Sequence, residues 1–261
     1  MSSSQPTAIV FGIANKRSIA WGVTQKLHAQ GVKLTVAYQG ERFERAIRKL
    51  LEGEGITDAL LVTCDVTEEG AVDRVFDAHM EQWGRLDHVV HSIAFAKREE
   101  LEGNFTDTSR DGFLLAQEIS AFSLIPMARA AKRLMSDGGS IIAMTYLAAQ
   151  RVVANYNVMG SAKASLEHVV RQLAFELGEQ NIRVNAVSAG PLQTVSARGV
   201  AGFSGILKVY ADKTPLKRNI TLEEVANASW FLLSEQASGI TGQCLFVDSG
   251  YSIMASSGDE I

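Results

Sequence analysis

The sequence predicts a doubly wound α/β fold, with a parallel sheet of about seven strands and helices on both faces. Short apolar runs of strand length alternate with longer amphipathic segments along the whole chain. The first apolar run ends in a glycine and leads into a helix start, the arrangement of a strand–loop–helix unit. No linker rich in Pro, Gly or Ser, no low-complexity tract and no internal repeat divides the 261 residues, so one domain spanning 1–261 is expected.

Thr7–Phe11 reads as a buried strand closed by Gly12. From Ser18 to about Gln30, Ile19, Val23 and Leu27 recur at helical spacing, and Gly31 sits where a helix C-terminal glycine belongs. Lys33–Tyr38 resumes a strand. A helix over roughly 41–54 leads to a strand at 59–64, and a helix over 68–83 leads to one at 86–92. Apolar runs at 140–145, 183–187 and 243–247 supply three more.

The bulk numbers exclude several classes. Hydrophobic residues make up 46% of the chain, enough for a sizeable core, and the formal charge of -4 gives nucleic-acid binding no global support. Two cysteines, Cys64 and Cys244, stand without partners at metal-ligand spacing, so no metal site is expected. They fit reduced thiols in a cytoplasmic protein. No signal-like N-terminus and no membrane-spanning apolar run is present.

The loop Gly12-Ile13-Ala14-Asn15-Lys16-Arg17-Ser18 lacks the G-x-G-x-x-G fingerprint; only Gly12 and Gly22 bracket it. Gly12 permits a tight turn, the helix start offers free N–H groups to an anion, and Ser18 suits an N-cap or a phosphate donor. At the end of the second strand, where a dinucleotide fold meets the adenosine ribose, Gln39 can bond a hydroxyl and Glu41 repels a 2′-phosphate. Arg42 is the nearby cation. That balance favours NADH over NADPH. Asp65 reads either as an acceptor for the adenine amino group or as a helix cap before Thr67. His91, alone at a strand end, reads more readily as a packed structural group than as a catalyst.

Tyr156 and Lys163 lie seven residues apart, about two helical turns, so both side chains share one face. A phenol beside an ammonium can handle a proton: the cation favours phenolate, and the phenol can donate to a developing oxyanion.

Taken with Tyr146 ten residues upstream, with Gly12–Ala20, with His91–Ala96 and with Asn185–Thr194, this spacing resembles the short-chain dehydrogenase/reductase superfamily. Within it, the chain resembles the divergent branch of bacterial enoyl-[acyl-carrier-protein] reductases, over about Thr7 to Met254. Ordinary members carry Tyr-x3-Lys with a serine thirteen residues before the tyrosine; here those positions hold Gly160 and Ala143. The departure argues against an ordinary keto/hydroxy dehydrogenase, and an intact Tyr156 and Lys163 argue against a non-catalytic nucleotide-sensing regulator.

The resemblance implies a Rossmann-type fold and NADH-dependent reduction of an enoyl thioester carried on acyl carrier protein, in type II fatty-acid synthesis. It implies that Tyr156 donates to the enolate oxygen, that Lys163 holds the nicotinamide ribose, and that Tyr146 lines the same pocket. It assigns cofactor contacts to Gly12, Ser18, Ile19, Gln39, Asp65, Val66, Ile93, Lys163, Leu192, Thr194 and Ser196. Substrate contacts fall to Ala96, Tyr146, Tyr156, Met159 and Phe203. It further implies a homotetramer and a substrate lid at about 195–212. Five basic residues between Arg198 and Arg218, set against one acid, read as a solvated face or as a docking site for the acidic carrier.

Overall fold

All five residues of β1 (Thr7–Phe11) are buried, as a strand covered on both faces requires. In the computed structural model, which describes residues 5–194 and 203–255, β1 lies near the centre of one sheet. Its companions are β2 (Lys33–Tyr38), β3 (Leu60–Thr63), β4 (His88–His91), β5 (Gly139–Thr145), β6 (Ile182–Ala189) and β7 (Cys244–Val247). The order is β3-β2-β1-β4-β5-β6-β7, and every pairing among the described strands is parallel. The chain reverses direction across the sheet between β1 and β4, which places a crevice at their carboxyl ends.

Alternation along the strands sends side chains into two cores. Ile9 and Phe11 join one core with residues of α3 (Ala71–Trp83), α5 (Leu124–Leu134) and α6 (Asn157–Leu177). Ala8 and Val10 join the other with α1 (Ile19–Ala29), α2 (Glu44–Gly53) and α8 (Leu222–Leu233). The remaining described helices are α4 (Arg110–Gln117) and α7 (Phe203–Lys213).

The expected elements hold with shifted ends. The helix expected at 41–54 opens with a 3-10 turn, Glu41–Phe43, before α2. The one expected at 68–83 starts later, at Ala71, after Gly70 at φ 73. Between 97 and 138, α4 runs through a π-helical turn, Glu118–Phe122, into α5. Gly22, the second bracketing glycine, serves packing. A Cβ there would sit 2.5 Å from the Leu222 side chain, so its absence lets α1 and α8 approach closely.

Helix α8 is secured at both ends. At its start, Thr221 and Glu224 form a reciprocal capping box, and Arg218 grips the Glu224 carboxylate at 2.6 and 3.0 Å. At its end, Arg183 reaches from β6, 9% exposed, to donate to the Leu232 carbonyl at 2.6 Å and to those of Leu233 and Ser234 at 2.9 and 3.0 Å. One guanidinium therefore satisfies three carbonyls that the helix itself leaves open. Replacing Arg183 with Met is expected to cost about 2–4 kcal/mol in denaturant unfolding, with Lys recovering part of it. A loss below about 0.5 kcal/mol, the range of an ordinary surface substitution, would show that the carbonyls need no such partner.

Candidate active site

Parallel register sets the site. Phe11 pairs with His91, His91 with Ala143, and Ala143 with Ala186; β1 and β4 end level there, while β5 and β6 run on to Thr145 and Ala189. The residues just beyond, among them Gly12, Ser92 and Met144, open into a cavity of about 450 Å³. Gly12, Ser18 and Ile19 line one end of it. Tyr146, Tyr156, Met159 and Lys163 line the other, with Ile93, Ala96, Leu192 and Thr194 also on its wall.

At the first end, Gly12 adopts φ +106, and a Cβ there would lie 2.1 Å from the Ser92 carbonyl oxygen. Only glycine lets β1 turn beside β4 so closely. Ser18 occupies the N-cap of α1 but does not bond the helix. Its hydroxyl oxygen instead accepts from the Ala14 and Asn15 amides at 3.0 and 3.1 Å. That corrects the expectation of a side-chain cap. The Ser18 proton is therefore available to an acceptor, and no intrahelical partner exists for the first amides of α1. An anion fits at this end.

Gln39, Asp65 and Val66 lie outside the cavity's described lining, at the far ends of β2 and β3. Gln39 donates to the Asp65 carboxylate at 2.9 Å, and Asp65 also accepts from the Thr67 amide and hydroxyl. These bonds hold the Asp65 carboxyl below its usual range, with Gln39 the largest contribution. Asp65 here closes a turn onto Thr67; the helix that follows starts only at Ala71, with Gly70 at its N-cap, so the expected helix-cap role is corrected. Ser196 lies outside the described residues, as do residues 195–202 of the expected lid. Phe203 opens α7.

At the second end, Tyr156 is the N-cap residue of α6 and Lys163 is two turns in, so the expected shared face is present. Asn155 and Asn157, flanking Tyr156, adopt φ 61 and 32, a region asparagine tolerates better than most residues. Gly160 permits the packing behind them, since a Cβ there would sit 3.2 Å from the Ala148 carbonyl oxygen. Burial, and secondarily Tyr146, raises the Tyr156 pKa well above that of an ordinary phenol. The nearby cation does not make it a phenolate; Tyr156 is held protonated, a donor. Its hydroxyl has no hydrogen-bond partner among the described residues.

Lys163 is 4% exposed and donates to the Met144 carbonyl at 2.7 Å. Two of its three ammonium protons have no partner among the described residues. Burial pushes its pKa down to about 8, opposed by the Glu167 carboxylate one turn below. Glu167 is itself fixed by Thr145 at 3.0 Å and Gln150 at 2.9 Å. His91 is fully buried against Ser123 at 2.8 Å, and burial lowers its pKa to about 3, so it is a neutral packing group.

Other contributors escape a sequence reading. Ser120 sits in the π-helical turn, accepts from the Phe95 amide at 3.0 Å and so fixes the segment after β4. Tyr210 of α7 bonds the Tyr146 hydroxyl. An isolated serine or tyrosine in an amphipathic stretch carries no periodic signal; their positions emerge only from the packing. Of the basic run, Arg218 is paired with Glu224 and Lys217 donates to the Asp212 carbonyl, which favours the solvated-face reading; Arg198 lies outside the described residues.

A sheet of this order, with a tyrosine and a lysine over the carboxyl ends of its central strands, defines a reductase of the short-chain dehydrogenase/reductase class. The pattern of the family described as "Enoyl-(Acyl carrier protein) reductase" matches residues 12–252. A Bacillus cereus protein named enoyl-[acyl-carrier-protein] reductase [NADH] is 51% identical over 251 residues, covering 95% of this chain and 97% of the relative. A Staphylococcus aureus relative, named as the [NADPH] enzyme, is 51% identical over 245 residues, 94% of this chain and 96% of its own. A crystal structure of the Bacillus cereus reductase with NADP+ and indole naphthyridinone superposes with a TM-score of 0.94 at 50% identity, covering 98% of this chain and all of the other. The chain belongs to the enoyl-[acyl-carrier-protein] reductase family, and it is an oxidoreductase.

The buried ammonium has a measurable sign. With a folded pKa of about 8 against an ordinary value of 10.5, the unfolded chain binds this proton more tightly. Lys163 therefore penalises the fold fully below about pH 8. The penalty fades as pH rises toward 10.5. Relative to Lys163→Met, the unliganded wild type should gain stability between pH 7 and 10, on the order of 3 kcal/mol at most. Parallel stability curves for the two proteins would rule out a strongly desolvated lysine.

Proposed function

We propose that this chain reduces the trans-2 double bond of enoyl-acyl-carrier-protein thioesters with NADH, in type II fatty-acid synthesis. One observation carries the reading: a tyrosine that burial keeps protonated and a lysine with two spare donors share one cavity, whose other end presents the Ser18 hydroxyl at a helix start. Both ends fit the cofactor. The Ser18 hydroxyl and the first amides of α1 meet the pyrophosphate, with Gly12, Ile19, Ile93, Leu192 and Thr194 along the groove. The spare Lys163 protons fit the two hydroxyls of the nicotinamide ribose. When bound, NADH supplies the hydride that adds to the β-carbon of the substrate.

The chain's own residues then deal with the charge. Negative charge gathers on the thioester oxygen as an enolate, and Tyr156 donates a hydrogen bond to it. In a cavity lined mainly by apolar groups such a bond is worth more in the transition state than in the ground state. Lys163, held by Met144 and Glu167, fixes the ribose and adds positive potential. Met159 and Ala96 pack with Leu101 and Val158 in a small apolar cluster beside Tyr156, a wall suited to an acyl chain. Helix α7, with Phe203 at its start, covers the site as part of the lid. The protein works in the cytoplasm as a homotetramer of single-domain subunits; no helix among the described residues is long and apolar enough to cross a membrane.

Turnover of NADH with crotonyl thioester, followed as loss of reduced-nicotinamide absorbance, tests the reading directly. Consumption with a ketone but not with the thioester would replace it. Tyr156→Phe should lower kcat by about 10²–10³ with NADH binding intact, the usual cost of losing one such donor. Lys163→Ala should chiefly weaken NADH binding, and equal Kd values for variant and wild type would remove its assigned role.

Cofactor choice rests on the end of β2. Gln39 is turned toward Asp65, Glu41 follows, and the Arg42 guanidinium lies 4.8 Å over the Phe43 ring rather than toward a phosphate. NADH should be favoured over NADPH by at least about tenfold in kcat/KM, equivalent to about 1.4 kcal/mol. A preference for NADPH, as the Staphylococcus aureus name indicates for that relative, would mean that Arg42 leaves its ring to meet a 2′-phosphate.

A further inference from the structure

Helix α7 reaches the active site through one side chain. Tyr210 is buried, and its hydroxyl lies 3.1 Å from that of Tyr146. Its other face stacks on Tyr251, with ring centroids 3.8 Å apart and planes inclined by 14°. Tyr251 opens the 3-10 turn that follows β7. That turn is fastened by the Asp248 carboxylate, which accepts from the Gly250 and Ser252 amides at 3.0 and 2.8 Å. On the cavity side, Tyr146 meets Tyr156 edge to face, centroids 5.0 Å apart. A ring stack, a hydroxyl–hydroxyl hydrogen bond and an edge-to-face pair thus join the turn after β7, helix α7 and Tyr156 in series.

The direction of the hydroxyl pair follows from burial. Two hydroxyls share one bond, so one proton is used and one is left over. Tyr146 lines the cavity, whereas Tyr210 does not and has no other hydrogen-bond partner among the described residues. If Tyr146 donated, the Tyr210 proton would be left buried without an acceptor, which is costly. Tyr210 donates, and Tyr146 keeps its own proton for the cavity. A role in packing alone would need the Tyr210 ring but not its hydroxyl.

We propose that Tyr210 is a positioning residue: its hydrogen bond from α7 fixes the Tyr146 ring against Tyr156, so that docking of the helix and orientation of the enolate-binding hydroxyl form one equilibrium. The inference rests on the assignment of Tyr156 made above. It also deepens it, because coupling of this kind is reciprocal: whatever frees Tyr146 must loosen α7 to the same degree.

Three variants, Tyr210→Phe, Tyr146→Phe and the pair combined, test this by two measurements. The first uses the protein without substrate and follows amide hydrogen exchange across residues 203–213 by mass spectrometry. Each single variant should speed exchange there by about 5–20-fold, the size expected for one hydrogen bond, and the double variant by no more. The second follows crotonyl-thioester turnover. Tyr210→Phe should lower kcat several-fold while leaving the NADH Kd unchanged, and the double variant should match Tyr146→Phe alone. Unchanged exchange across 203–213 in Tyr146→Phe overturns the coupling, as do rate losses that multiply in the double variant. Absence of turnover in the wild type would instead defeat the proposed reaction, and the exchange measurement still decides the coupling.

Discussion

A lysine ammonium buried in a largely apolar cavity is the constraint around which this structure is arranged. Such a group is expensive, and Lys163 keeps its charge near neutral pH because the Met144 carbonyl accepts from it and the Glu167 carboxylate lies one turn below. Glu167 in turn needs Thr145 and Gln150. Strand β5, the turn after it and helix α6 are thereby locked to one another, and Tyr156 is carried to its place at the head of α6. The same desolvation acts on Tyr156 in the opposite chemical sense, keeping its proton on. One dry environment yields a weakened acid and a lysine near its titration point, side by side.

The opposite end of the cavity meets a different demand. In the proposed function its ligand is an anion, for which the protein offers backbone amides rather than cations. Ser18 gathers the Ala14 and Asn15 amides onto its own oxygen and so shapes the loop, leaving its proton to face outward. Close backbone passage at Gly12 and close helix passage at Gly22 accomplish what a three-glycine fingerprint accomplishes elsewhere, with the glycines ten residues apart.

Much of this was legible in the residue pattern. Alternating apolar runs predicted the parallel sheet because strands covered on both faces leave an unbroken hydrophobic signature, as in Thr7–Phe11. Tyr156 and Lys163 were legible because helical spacing maps directly onto a shared face. The protonation of Tyr156 was not, since proximity of a cation suggests phenolate and only the depth of burial reverses that sign. Ser120 and Tyr210 were hidden for another reason: each acts on a residue distant in sequence, and such bonds leave no periodicity. Asp65 fell between the two cases. Its local role before Thr67 was legible, though as a helix cap rather than a turn, and its bond to Gln39 depends on the register between β2 and β3.

Gly160 has a consequence for descent. In ordinary relatives the catalytic lysine stands at this place, one turn after the tyrosine. Here the turn at 147–149 lies close against α6: a Cβ at 160 would sit 3.2 Å from the Ala148 carbonyl oxygen. A lysine returned to that position would therefore press on that carbonyl and need the turn to give by a few tenths of an ångström, whereas Lys163 two turns along meets no such constraint in the proposed role. The residue at 160 and the turn at 147–149 thus constrain each other: a change of side chain at one asks for a small backbone shift at the other, so the two would change together in descent.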